Sequence, residues 1–98
     1  MKAKDYIVFK INELIDSFED IKLRYAFDAK ANFHIIEVMP ESIRRGNNNF
    51  IEKEYEINKE FSKLFPNDDL LITEPNTLTE SVPTEYTTRN NYDNEKWN

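Results

Sequence analysis

One histidine, one glycine and no cysteine bound the chemistry open to this chain. His34 is the single imidazole, and Glu37 follows three residues later. Both are metal-ligand types, but on a strand a spacing of three sends them to opposite faces. A zinc site needs at least three convergent ligands, and this chain has no thiolate to add. No metal centre is expected. A nucleophilic triad would need Ser17, Ser42, Ser62 or Ser81 beside His34, and none of these serines sits in a glycine-flanked elbow.

The remaining constellations read as ordinary structure. Asn67-Asp68-Asp69 lacks the D-x-D-x-D-G spacing of a calcium loop and reads as a polar turn that ends a helix. The lone Gly46 excludes a glycine-rich phosphate cradle. Glu52, Glu54, Glu56 and Glu60 alternate with Lys53, Lys59 and Lys63, the pattern of a solvated helix face. No catalytic residue and no cofactor is expected, and the chain reads as a non-enzyme.

Apolar spacing identifies the elements that would position these groups. Ile7, Ile11, Leu14, Ile15 and Phe18 form one stripe at helical period, predicting a helix over residues 4–18. Ile21, Leu23, Tyr25 and Phe27 then alternate with polar or small residues, as on a half-buried strand. After a polar break, residues 33–39 form a second strand that Pro40 ends. Its core face carries His34, Ile36 and Val38. The other face carries Phe33, Ile35, Glu37 and Met39. Residues 41–49 read as a connector, with Gly46 supplying a turn of positive φ and Asn49 capping the next helix. Ile57, Phe61, Leu64 and Phe65 give that second helix its buried stripe, and residues 70–73 form a short third strand.

The expected fold is a two-layer α+β sandwich in αββαβ order. It has a three-stranded sheet with both helices on one face, and the third strand parallel to the second. Residues 1–73 are the compact domain. Residues 74–98 carry no period and read as a polar, partly disordered tail, dispensable for folding beyond about Tyr86.

Charge and the second sheet face bound the function. Net charge is -6, and all of it lies in residues 50–98, where five Lys/Arg meet eleven Asp/Glu. Such a half repels phosphate, so no direct nucleic-acid binding is expected. Apolar runs reach only three residues and no signal-peptide core is present, so no membrane association and a cytoplasmic location are expected. A small bacterial or phage protein fits this description.

With both helices on one side, Lys22, Arg24, Phe33, Ile35, Glu37 and Met39 would form an open, charge-rimmed apolar face. The first functional reading is a non-catalytic domain that binds a protein partner, or a second copy, through that face or the acidic second helix. On that reading, Ile35→Glu leaves the monomer folded. The second is an acidic, immunity-type inhibitor of a nucleic-acid enzyme. The third is a small hydrolase using His34.

Overall fold

The computed structural model describes residues 1–90. Its elements are α1 (Ala3–Ser17), β1 (Ile21–Asp28), β2 (Phe33–Met39), α2 (Glu41–Gly46), α3 (Asn48–Leu64), β3 (Asp69–Thr73) and β4 (Thr84–Asn90). The strands form one mixed sheet in the order β3-β2-β1-β4. β1 pairs antiparallel with β2 and with β4, and β2 pairs parallel with β3. No helix among the described residues is long and apolar enough to cross a membrane.

The α+β class is the one the apolar periods indicate, but the element order needs two corrections. The sheet has four strands rather than three, because residues 84–90, expected in the tail, pair along β1. The order is αββααββ, because residues 41–46 form a short helix instead of an open connector. Gly46 lies in that helix and has no positive φ; Asp20 and Asn32 hold the left-handed conformations, at φ 55° and 50°. Both residue types tolerate that region. The cap of α3 is Asn47, whose side chain accepts from the Phe50 N–H, and not Asn49. For residues 91–98, the expected disorder lies outside the described residues.

One face of the sheet carries the core. Ile21, Leu23 and Tyr25 from β1 and Ile36 and Val38 from β2 pack against Ile7, Ile11 and Leu14 of α1 and Phe50, Ile57 and Phe61 of α3. The aromatic contacts fix the helix directions. Tyr6 meets Phe61 and Phe65 at 6.1 and 5.7 Å, while Phe18 meets Phe50 at 5.5 Å, so α1 and α3 run antiparallel.

The β3 edge of the sheet is partly covered. The Asp69 N–H donates inward to Asn32 O, so alternation turns the backbone groups of Leu70 and Ile72 outward. An Arg44 guanidinium N–H from α2 donates to the Ile72 carbonyl at 3.1 Å and blunts that edge.

Phe61 is 1 % exposed and touches Tyr6, His34 and Phe65. Phe61→Ala is expected to cost about 3–5 kcal/mol, measured by urea unfolding. A loss below about 1 kcal/mol would place α3 in a different rotation.

Candidate functional site

His34 has the residue type best suited to chemistry, and the fold seals it. It projects from β2 into the core face and is 1 % exposed. Tyr25 on β1 places its hydroxyl 2.7 Å from Nδ1, and Asp68 places Oδ2 2.8 Å from Nε2. With the ring proton on Nε2, the tyrosine donates to Nδ1 and the imidazole donates to the carboxylate. Burial, followed by the charges of Glu85 and Asp68, pushes the Tyr25 hydroxyl above its ordinary pKa, so it stays a donor. Phe27 stacks on the imidazole at 4.5 Å and Phe61 meets it edge-on at 5.6 Å. His34 lines neither of the two clefts described below. The arrangement pins the turn before β3 to the β1–β2 hairpin.

On the opposite face, the structure brings all six sequence-derived binding residues together. Lys22 pairs with Met39, Arg24 with Glu37, Ala26 with Ile35 and Asp28 with Phe33. That face, however, is closed at its centre, with Lys22, Arg24, Phe33 and Met39 half-buried around it. Ile35 is 1 % exposed and Glu37 3 %, although Ala26, Ile35 and Glu37 stand outside the core cluster.

The connection from β3 to β4, residues 74–83, covers them. Thr79 donates its hydroxyl to Glu37 Oε2 at 2.6 Å, and Arg24 Nη1 meets Glu37 Oε1 at 2.9 Å. Arg24 also donates to the Val82 carbonyl and, through Nε at 2.7 Å, to Thr84 Oγ1. A shallow cleft remains beside the strap, lined by Arg24, Glu37, Asn76, Glu80 and Thr84 among others.

The helical layer offers the other concavity, a groove of about 330 Å³ between α1 and α3. Leu14 and Ile57 form its apolar floor, and Lys10, Glu13, Lys53, Glu56 and Glu60 supply its charged rim. Lys10 lies 3.5 Å from Glu60 at one end of the groove, and its Nζ lies 5.7 Å from the Phe9 ring centroid; Leu64 is one helical turn beyond Glu60. Phe9 and Leu64 are 56 % and 54 % exposed, so Leu64 does not belong to the buried stripe expected for α3. At the same end of the groove, the Tyr6 hydroxyl donates to Glu60 at 2.6 Å. That hydrogen bond lowers the Glu60 pKa; partial desolvation opposes it and Lys10 assists it. Burial alone would lower the Lys10 pKa, but Glu13 and Glu60 outweigh it and raise it.

Among the described residues, no group of three or more His, Asp or Glu is placed to hold a metal ion. No family model, no curated protein and no solved structure matches the chain.

Sequence reasoning treated Asp68 as a turn residue and missed its bond to His34. The signal lay in topology: the parallel register opposes Asp69 to Phe33 and so brings Asp68 near His34. It also missed Thr79, a small polar residue in an aperiodic stretch, and Phe9, which stands off its helix's core stripe.

Two outcomes test this geometry by equilibrium unfolding. His34→Leu strands the Tyr25 hydroxyl without an acceptor and is expected to cost about 1–3 kcal/mol through that group alone. Adding Tyr25→Phe should recover part of the loss, whereas strictly additive losses would show that the two groups are not bonded. Glu60 has a lowered folded pKa, so its contribution is present above the unfolded value and is lost as pH falls through the folded one. The stability advantage of wild type over Glu60→Gln should therefore shrink between about pH 6 and about pH 3. A constant difference would contradict the Tyr6–Glu60 bond.

Proposed function

We propose that this protein is a non-catalytic interaction domain that binds a protein partner through its helical layer, in the groove between α1 and α3. The groove carries this reading: an apolar floor of Leu14 and Ile57, with Phe9 and Leu64 exposed beside it. Large exposed apolar side chains beside a concavity mark a docking surface better than scattered ones do. Glu13, Glu56 and Glu60 outnumber Lys10 and Lys53 on the rim. The partner is an amphipathic segment whose apolar side enters the groove while basic residues meet the glutamates, the helix-in-groove mode. The enclosed His34, with both ring nitrogens engaged, supports a role without chemistry.

The acidity of residues 50–98 supports a second reading, an inhibitor that occupies the basic site of a nucleic-acid enzyme. Salt separates the two. Apolar docking survives raised ionic strength, and a charge-driven inhibitor loses its target.

The test is affinity for whatever partner the wild-type chain retains from its native cell. Phe9→Glu with Leu64→Glu is expected to weaken that affinity by about tenfold or more. Tyr55→Glu serves as the control, because Tyr55 is exposed on the other flank of α3. Unchanged binding by the double variant would sink the proposal.

A further inference from the structure

The strap formed by residues 74–83 closes the second sheet face in an unusual way. β3 and β4 occupy opposite edges of the sheet, so the chain between them has to cross a face. The helices fill the first face, and the strap takes the second. Beneath it Ala26 and Ile35 are fully enclosed.

The strap's grip on that face is polar. Thr79 and the backbone of Val82 reach Glu37 and Arg24, and Glu74 at its start is paired with Arg44 and Arg45 of α2. Within the strap, Asn76 Oδ1 accepts from the N–H groups of Leu78 and Thr79, at 2.9 and 3.2 Å, and holds a tight turn. That turn directs Leu78, the strap's largest apolar side chain, away from the sheet, where it is 87 % exposed. An apolar cover would place such a residue on Ile35.

We infer that residues 74–83 are a latched strap with a closed and an open state, and that the Arg24–Glu37–Thr79 contact is the latch. Two physical points support separate opening. A buried ion pair gains little net stability over apolar packing, because desolvation offsets its attraction, so it holds the strap in register more than it glues it down. Segments held by few apolar contacts also open at lower free energy than the core they cover. Opening would uncover Ala26, Ile35 and Glu37, while the core between the sheet and the two helices stays intact.

The chain has no cysteine, so a single introduced thiol reports opening cleanly. Ile35→Cys places the thiol under the strap, and Ile36→Cys places it in the helix-covered core. Alkylation of the full-length folded chain is expected to be about tenfold or more faster at position 35 than at 36. Adding Thr79→Val should accelerate position 35 by about tenfold again and leave position 36 unchanged. Equal rates at the two positions would show that the strap opens only when the whole domain unfolds, and would overturn the inference. Acceleration of both sites together by Thr79→Val would overturn it as well. If Ile35→Cys fails to fold, Ala26→Cys takes its place under the strap, with the same two outcomes.

Discussion

The Arg24 guanidinium ties together parts of the chain that are far apart in sequence. It meets Glu37 on the neighbouring strand, the Val82 carbonyl at the end of the strap and Thr84 at the start of β4. With only 15 % of its side chain exposed, it needs acceptors, and these three supply them. A buried carboxylate or guanidinium left alone would be strongly destabilising, so each member of the cluster requires the others. The consequence is topological. Once Arg24 and Glu37 are placed opposite one another on β1 and β2, the segment that completes their hydrogen bonds has to lie over them. The chain beyond it then enters the sheet on the β1 side.

The closed second face redistributes the surfaces available for function. Hydrophobic patterning alone leaves a three-stranded sheet with one naked side, and such a side invites a partner. The strap removes that invitation in the closed state. The concavity on the other side of the molecule then becomes the stronger feature, with its apolar floor and acidic rim. Arg44 at the β3 edge works in the same direction, because it occupies a backbone carbonyl that a foreign strand would use. His34 belongs to the scaffold on this view. Its bonds to Tyr25 and Asp68 fix the turn that launches β3.

Legibility in the sequence followed burial. The first helix, both hairpin strands and the second long helix were readable because each carries a full apolar stripe whose period names the element. The face assignment of His34, Ile36 and Val38 was readable because a carboxylate marked the other side. β4 was not, because an edge strand that covers a core with Tyr86 alone leaves Thr, Glu, Arg and Asn at the remaining positions, with no apolar alternation to detect. The short helix α2 has no buried residue at all, so no period announces it. The second face was misjudged for a different reason. Its cover is attached by a threonine hydroxyl and a backbone carbonyl, and neither leaves a mark in hydrophobicity. The interhelical groove was partly legible: its acidic side was evident, but its partner wall depends on the antiparallel packing of α1 on α3.

Closure of the second sheet face by residues 74–83 makes a sharp prediction for the equilibrium stability of Ile35→Glu. Under a closed strap, the new carboxylate is either forced into an enclosed apolar position or holds the strap open, and a loss of about 3 kcal/mol, with the helix-covered core still folded, is predicted. Retention of wild-type stability to within about 0.5 kcal/mol, the range of an ordinary surface substitution, would show that the face is open and would contradict this account.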